Sequence, residues 1–590
     1  MSQSQSDRGA LDLGERLARL SPEKRALLQQ RLSTRRERGF DLVAQALGDC
    51  GISHIYGVAG KPTEEILPAC ARQNVRPLGV YHHTSAVCMA TAHNYQSSRL
   101  VAAALVSARP AVTNALTGLL VARDNAWPVI VLGGQRSSFQ RSSVLPIVQQ
   151  VTKHTVAVAT TAAIDACIHQ ACQMAMCGRP GPVYVDLHED VLAGCAVPDR
   201  IEKTECRLID QRSPIVSENQ IEQIADALLS AQRPALVLGK GVRWSVVPSE
   251  LQELVETAQL AFITSPMGRG FVAEDHPLCF NRARIHLQAE ADVVLILGAR
   301  LNWMFRHGAE LSRTARIFRV DICQDTEDDG AIATEFVHGD AGDFVHRLLE
   351  VLKSRWAQGR DDRLRRVNDW HRNLQAVTND TQRILDRRMS SDRRPMSPYR
   401  MMKEIRDTLP REAICITEGN VSLMVAQPVI PAFMPASRMD AGTNGCMGVG
   451  IPFAIGAKVA CPERPVVAVV GDYGFSLSVM ELEVCLRHSV PIVVVVVNNQ
   501  GNNGALKQKL YFPDDAAELV TMFQPGIEYD RILQVFGGRG RTITDPHLLK
   551  PTLADAISSG VPACINVVVD PDTPLTNAWG EQSHINELAP

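Results

Sequence analysis

Apolar runs of strand length alternate along the chain with longer stretches in which apolar residues recur at helical spacing. Four such runs in the first third are ISHIYGV, RLVAAALV, WPVIVLGG and GPVYVDL. The alternation returns in two later regions, with LVLGKG, VVLILGA and RIFRVDI in one and VVAVVGD and PIVVVVVNN in the other. Buried strands joined by helices are typical of βαβ units, so the pattern predicts an α/β fold with three doubly wound parallel sheets.

Polar segments separate these regions. The pattern predicts a first domain over residues 39–205, a second over 215–352 and a third over 396–575, with the arginine-rich segment 353–395 as helix and linker. Residues 1–38 are rich in Leu, Arg and Glu at helical spacing, which predicts a helical arm. Within the arm, LSPEKRALLQQRL resembles short linkers of modular peptide synthetases. The arm is either a surface helix or a docking segment for a carrier protein.

Composition narrows the class of protein. Of the 590 residues, 45% are hydrophobic and 21% charged, and the formal net charge is -3, which is typical of a globular protein without a nucleic-acid footprint. No apolar run reaches the roughly 18 residues needed to span a bilayer, and the N-terminus lacks the apolar core of a signal peptide. The 15 cysteines are scattered without a C-x-x-C pair, so we expect reduced cysteines and a cytoplasmic location.

The segment from 466 to 504 carries the clearest candidate chemistry. One apolar strand ends in Gly471-Asp472, a helix follows, and a second apolar strand ends just before Asn499 and Gly501. Ligands bind at the carboxyl ends of neighbouring parallel strands, and hard oxygen ligands suit Mg²⁺ with a bound phosphate. Either cluster alone would also fit a turn whose side chains cap a helix, but the pair favours a metal site.

This unit resembles the thiamine-diphosphate binding motif, which begins Gly-Asp-Gly and ends Asn-Asn, although Tyr473 stands in place of the second glycine. Residues 40–570 resemble the acetolactate-synthase superfamily, in particular 2-hydroxyacyl-CoA lyase and oxalyl-CoA decarboxylase, through LILGARLNWMFRHG, TEGN and DAGTNGCMGVGIPFAIGA. The resemblance implies pyrimidine-binding (PYR), central and diphosphate-binding (PP) domains. It also implies thiamine diphosphate and Mg²⁺ as cofactors. The implied activity is that of a lyase, decarboxylase or carboligase acting on a 2-keto acid or acyl thioester, in specialised biosynthesis.

The resemblance also assigns cofactor residues. Gly445 and Met447 match the backbone partners of the aminopyrimidine ring, and Met447 matches the bulky residue that keeps the cofactor bent. The expected metal ligands are Asp472, Asn499 and Gly501. The motif that holds the diphosphate comprises Gly471, Asp472, Tyr473, Gly474, Asn499 and Gly501.

One departure from the family affects catalysis directly. The family places a glutamate in the first domain, where it hydrogen-bonds the aminopyrimidine, and counting from YGVAGKPTEEIL puts His83 at that position. A shift of one residue would put His82 or Thr84 there instead. A neutral imidazole could accept a hydrogen bond and an imidazolium could donate one, but neither replaces a carboxylate, so we expect slower cofactor activation. Asn114 and Gln135 are further candidate catalytic groups.

Two other regions bear on ligands. Arg109, Arg136 and Arg141 would surround the substrate entrance with positive charge if they faced inward; solvated arginines are the alternative. The central domain of relatives holds FAD, ADP or nothing. The GKG segment here lacks the full phosphate-loop pattern, so no second cofactor is assigned, and FAD, ADP and an empty central domain all stay open.

Two other functions are alternatives to a lyase. A catalytically silent cofactor-binding or scaffold homologue would account for the missing glutamate. A nicotinamide enzyme would need a G-x-G-x-x-G after its first strand, and no convincing one is present. Because relatives build their active sites between two subunits, the resemblance implies a homodimer or homotetramer.

Overall fold

A computed structural model describes residues 37–136, 143–197, 214–324, 332, 335–356, 360–502 and 521–573. Residues 1–36 of the predicted helical arm lie outside the described residues, and so does Arg141. Residues 37 and 38 form a two-residue strand, β1 (Glu37–Arg38), which pairs antiparallel with β8 (Cys195–Ala196).

A six-stranded parallel sheet organises the first region. Its inner strands are rich in valine and alanine and almost fully buried, because helices cover both faces, whereas the edge strands are partly exposed. The strands are β2 (His54–Gly57), β3 (Arg76–Gly79), β4 (Ala102–Ala108), β5 (Val129–Gln135), β6 (His154–Val158) and β7 (Pro182–His188), in the order β3-β2-β4-β5-β7-β6. The helices are α1 (Gly39–Asp49), α2 (Ile66–Arg72), α3 (His83–Ser97), α4 (Pro110–Asn125), α5 (Leu145–Val151), α6 (Ile164–Met176) and α7 (Glu189–Ala193).

The central region has a five-stranded parallel sheet. Its strands are β9 (Pro234–Leu238), β10 (Ala261–Thr264), β11 (Val293–Leu297), β12 (Arg316–Asp321) and β13 (Glu335–His338), in the order β10-β9-β11-β12-β13. The chain order reverses between β9 and β11, which is where doubly wound sheets open a crevice for ligands. The helices are α8 (Glu218–Ser230), α9 (Pro248–Ala258), α10 (Arg284–Glu290) and α11 (Ala341–Trp356).

The segment between the central and third regions is largely helical. Helix α12 (Arg360–Met389) runs for 30 residues. It packs on the central region, because the guanidinium of Arg363 is buried and donates hydrogen bonds to the carbonyls of Leu229, Ala231 and Ala258, which lie at or near the ends of α8 and α9. The segment predicted as helix and linker is therefore anchored by a buried cation that satisfies carbonyls at helix ends.

A second six-stranded parallel sheet organises the third region. Its strands are β14 (Ile414–Glu418), β15 (Arg438–Met439), β16 (Val466–Gly471), β17 (Val493–Asn498), β18 (Arg539–Ile543) and β19 (Ala563–Val568), in the order β15-β14-β16-β17-β19-β18. The helices are α13 (Pro398–Arg406), α14 (Asn420–Val429), α15 (Gly450–Ala460), α16 (Asp472–Ser478), α17 (Glu481–Arg487), α18 (Asp530–Val535) and α19 (Pro546–Ser558).

The first and third regions pack against each other through α3 and α15. At Gly456 in α15, a Cβ atom would lie 2.2 Å from the carbonyl oxygen of Met89 in α3, so only glycine permits this approach. A shared hydrophobic core runs across the contact and includes Val87 and Phe453. The predicted α/β architecture with parallel sheets is confirmed in all three regions. Within the described residues, no helix combines the length and apolarity that crossing a bilayer requires.

Candidate active site

Asp472 lies at the carboxyl end of β16, as the first residue of α16, and its side chain is buried. Its carboxylate accepts hydrogen bonds from the N–H groups of Tyr473 at 2.9 Å and Gly501 at 3.1 Å. Burial raises the pKa of Asp472 to about 6, against the opposing effect of these N–H donors. A buried carboxylate in this setting is stabilised by a nearby cation.

Two further oxygen-bearing groups, the Asn499 amide and the Gly501 carbonyl, converge with this carboxylate. One terminal atom of the Asn499 side-chain amide lies 2.8 Å from the carbonyl oxygen of Gly501 and 3.3 Å from each carboxylate oxygen of Asp472. An amide nitrogen there donates hydrogen bonds to them, whereas the amide oxygen completes a cluster of hard ligands. Oxygens at adjacent corners of a Mg²⁺ octahedron are about 3 Å apart, given ligand distances near 2.1 Å. The donor set and its spacing therefore fit Mg²⁺.

The two adjacent asparagines have different roles in the fold. The amide of Asn498 donates to the carbonyl of Ile527 and to Asn566, each at 3.1 Å, and its oxygen accepts from the N–H of Gln500. Asn498 thus ties β17 to its neighbours, and Asn499 is left to face Asp472. Over the residues described, no cluster of three His, Cys, Asp or Glu side chains offers another metal site.

A cavity of about 320 Å³ opens above this cluster. Six of the eight residues that the sequence assigned to the cofactor line it: Met447, Gly471, Asp472, Tyr473, Asn499 and Gly501. The other two, Gly445 and Gly474, are not among its lining residues. Gly445 is exposed and adopts a φ of 67°, which favours glycine, and Gly474 is buried.

The tyrosine that departs from the motif is accommodated by the local backbone. Tyr473 is not among the residues of positive φ, since it lies in the first turn of α16, so the position does not require glycine. Its ring stacks against Phe523 with centroids 6.2 Å apart.

His83 begins α3 immediately after the second strand of the first region. Both of its ring nitrogens are buried and have no hydrogen-bond partner in the part of the chain that is described. Burial, and secondarily the neighbouring His82, lowers the pKa of His83, which favours the neutral imidazole. A neutral ring keeps one donor and one acceptor nitrogen for a ligand.

The other two candidate catalytic residues lie on different elements of the first region. Asn114 on α4 has an exposed side chain, and its carbonyl accepts a hydrogen bond from the hydroxyl of Thr84. Gln135 is the half-buried last residue of β5. Of the arginines expected at the entrance, Arg136 forms an ion pair with Glu189 at 3.6 Å, which offsets its charge.

A second cavity, about 930 Å³, lies at the carboxyl ends of the central strands. Its lining includes Lys240, Arg300, Arg179 and the acid Asp321 at the end of β12. The ammonium of Lys240 donates to the side chain of Asn125 at 2.6 Å.

Family comparison accounts for this architecture. Residues 37–162 match the N-terminal TPP binding domain of thiamine pyrophosphate enzymes, residues 221–348 match their central domain, and residues 418–567 match their C-terminal TPP binding domain. Both halves of the candidate site fall within the two matched TPP binding domains.

Similar full-length proteins carry related names. The chain is 31% identical to a 2-hydroxyacyl-CoA lyase of Oryza sativa over 563 residues, which is 90% of this chain and 95% of that protein. It is 28% identical to 2-hydroxyacyl-CoA lyase 1 of Homo sapiens, covering 90% and 94%. Oxalyl-CoA decarboxylase of Escherichia coli is 29% identical, covering 94% and 97%. The chain belongs to the thiamine pyrophosphate enzymes and is a thiamine-diphosphate-dependent enzyme of the acetolactate-synthase superfamily.

Two buried carboxylates near the site were missed by the sequence analysis. Glu481 on α17 accepts hydrogen bonds from the N–H groups of Tyr81 at 3.2 Å and His82 at 2.9 Å, and so fixes the segment leading to His83. Glu418 ends β14 and accepts from the N–H groups of Gly448 and Gly450. Glu418 lies within the TEGN segment, but that segment was used only for its resemblance, and no local signal indicated where either side chain points.

Proposed function

We propose that Asp472, Asn499 and Gly501 bind Mg²⁺ and that this ion holds the diphosphate of thiamine diphosphate in the cavity lined by Met447. The observation that carries this proposal is the convergence of carboxylate, amide and carbonyl oxygens, with the spacing that Mg²⁺ requires. The N–H groups at the start of α16 would favour the anionic diphosphate.

When bound, thiamine diphosphate supplies a carbon nucleophile and an electron sink for bonds next to a carbonyl. The chain contributes the surroundings. Gly445 and Met447 would hold the aminopyrimidine ring and set its bend. His83, neutral and without a partner, would accept a hydrogen bond from the ring or donate one to it, in place of the family's glutamate.

For the substrate, we propose a 2-keto acid or a 2-hydroxyacyl compound, either free or as an acyl thioester. The names of the similar proteins support an acyl-CoA substrate and a reaction that breaks or makes a carbon–carbon bond. Gln135 at the end of β5 and Arg109 before α4 are the polar groups that would face it. Carrier-protein docking through residues 1–38 and a role in specialised biosynthesis stay part of this proposal, as does a cytoplasmic location.

A nucleotide such as ADP or FAD is the proposed ligand of the central cavity. The cavity lies at the point where strand order reverses, and it combines three cations with Asp321, as a diphosphate and a ribose require. The absorbance spectrum of the purified protein would distinguish bound FAD from bound ADP. Titration of the protein with ADP would test whether ADP binds.

We further propose that the active enzyme is a homodimer or homotetramer. The side chains of Tyr81, Leu477 and Met480 are 49%, 52% and 45% exposed although they lie beside the two halves of the candidate site. A second copy would cover them. Measuring the mass of the protein in solution tests this proposal.

The decisive experiment combines binding and turnover. The protein is freed of metal, mixed with thiamine diphosphate and Mg²⁺, and assayed for CO₂ release from pyruvate and oxalyl-CoA and for aldehyde release from a 2-hydroxyacyl-CoA. Turnover of any of these supports the lyase. Cofactor binding without turnover would favour a silent homologue, which the histidine at position 83 makes the second candidate.

A further inference from the structure

Glu418 is a buried carboxyl group beside the proposed cofactor cavity, because its chain neighbour Gly419 and the residue before Gly448, Met447, both line that cavity. The residue is 2% exposed and ends β14. One carboxylate oxygen accepts the N–H of Gly448 at 2.6 Å, and the other accepts the N–H of Gly450. Burial raises the pKa of Glu418, and N–H groups from three consecutive residues, 448 to 450, oppose this by stabilising the charged form.

The surrounding backbone is shaped around this carboxylate. A Cβ atom on Gly474 would lie 1.9 Å from its Oε1, and a Cβ atom on Gly450 would lie 2.8 Å from its Oε2. The carboxylate therefore occupies the space beside Gly474, whereas at Gly450 the Cγ1 atom of Val470, at 2.5 Å, is nearer still. Gly474 belongs to the diphosphate motif and Gly450 opens α15, so one side chain lies between the two cofactor-binding segments.

Met447 lies next to Gly448 in the chain and close to Gly419 in the fold. It immediately precedes Gly448, whose N–H is bound by Glu418, and its Cε lies 3.7 Å from where a Cβ of Gly419 would be. Among the described residues, no side chain other than Glu418 accepts a hydrogen bond from the N–H groups of Gly448 and Gly450, so loss of the carboxylate would free the loop that presents Met447.

We propose that Glu418 is a positioning residue that fixes the loop carrying Met447 and thereby sets how tightly the ring half of thiamine diphosphate is held. This inference rests on the proposed cofactor site. We expect an effect on the ring half because Glu418 contacts the backbone of residues 448–450. Binding of the diphosphate half depends instead on Asp472, Asn499 and Mg²⁺.

The test separates the two halves of the cofactor. The wild-type protein and its Glu418→Gln variant are first freed of metal. Calorimetry then measures how tightly each binds thiamine diphosphate and, separately, inorganic pyrophosphate, with Mg²⁺ added in both cases. A carboxamide presents a donor to at least one N–H group, so we expect thiamine diphosphate to bind about tenfold more weakly or worse, with pyrophosphate affinity unchanged. A purely structural defect would lower both affinities together.

Matched variants make the outcome decisive. Asp530→Asn alters another buried carboxylate of the third domain, whose Oδ1 accepts the Thr542 hydroxyl at 2.6 Å, and should leave the ratio of the two affinities unchanged. If Glu418→Gln fails to fold, Glu418→Asp, which keeps a carboxylate but shortens its reach to the N–H groups of Gly448 and Gly450, should weaken ring binding in excess of pyrophosphate binding. Equal losses, or none, overturn the inference. If the wild type binds neither ligand, the proposed cofactor site itself fails.

Discussion

The PYR and PP sheets share one strand order but carry opposite chemistry at equivalent strand ends. Counted along the chain, each sheet has the order 2-1-3-4-6-5. Asp472 follows the third strand of the PP sheet and Asn499 follows the fourth, whereas Arg109 and Arg136 follow the third and fourth strands of the PYR sheet. One topology thus offers oxygen ligands for a cation in one domain and positive charge in the other.

The difference indicates how the site is divided. The PP half contains a buried acid whose pKa burial raises to about 6, so a bound cation would further favour its charged form. The PYR half presents His83, whose lowered pKa leaves it neutral and independent of any ion. Cofactor retention should therefore be sensitive to metal, and cofactor activation should be sensitive to the identity of residue 83.

The largest expected effect is on the PP half. Asp472→Ala removes the only carboxylate of the oxygen cluster, so thiamine diphosphate affinity should fall at least about 100-fold and turnover should vanish. In the wild type, cofactor at 100 times its Kd should raise the unfolding free energy by about 2.7 kcal/mol, which thermal unfolding can measure. The variant should lose this stabilisation, and Asp530→Asn should keep it. An unchanged shift in Asp472→Ala would contradict the metal assignment.

The second effect concerns the missing glutamate. His83→Glu restores the family's carboxylate, so exchange of the C2 proton of bound thiamine diphosphate should accelerate by about 100-fold, a usual size for general acid–base assistance. Quenched-flow NMR measures this rate. His82→Glu is the matched control, because His82 is exposed and its Nδ1 accepts the N–H of Thr84 at 3.2 Å. If only His82→Glu accelerates the exchange, the family's glutamate corresponds to position 82 and not to position 83.

The pH dependence sharpens the same contrast. Because burial lowers the pKa of His83 below its ordinary 6.5, the imidazole should stay neutral as pH falls through 6.5 and gain its proton only at lower pH. The contribution of this group to stability is present above 6.5 and declines below it, since the unfolded chain binds the proton first. The acid limb of kcat/KM against pH should move when His83 is replaced by Gln. An identical limb would assign it to another group.

The strands and the position of Asp472 and Asn499 at their ends were predictable because the signals are local. Valine-rich runs of strand length and the pair Asp472 and Asn499, at the ends of neighbouring strands, follow from the sequence and the rule on ligands at strand ends. The comparisons confirm the family, whereas the exact domain limits, 39–205, 215–352 and 396–575, stay predictions.

What the sequence could not predict depends on tertiary contacts. Glu481 reaches residues about 400 positions earlier, and Glu418 reaches a loop 30 positions later, so nothing beside either residue in sequence indicates its partner. The neutrality of His83 likewise arises from burial between segments. The charge of Arg136 is offset by Glu189, an ion pair that only the folded sheet brings together.

The smallest expected effect tests the outer edge of the PYR half. Asn114 lies on α4 with an exposed side chain, and only its carbonyl contacts the segment of His83, through Thr84. Asn114→Ala should therefore leave thiamine diphosphate affinity unchanged, alter kcat/KM less than tenfold, and stabilise the helix by about 0.5 kcal/mol through its better helix propensity. Gln135→Ala, at a half-buried strand end, should lower kcat/KM more. If Asn114→Ala lowers kcat/KM 100-fold or more, the Asn114 side chain reaches the substrate once a second subunit covers α4. The exposed surface of α4 would then belong to the site.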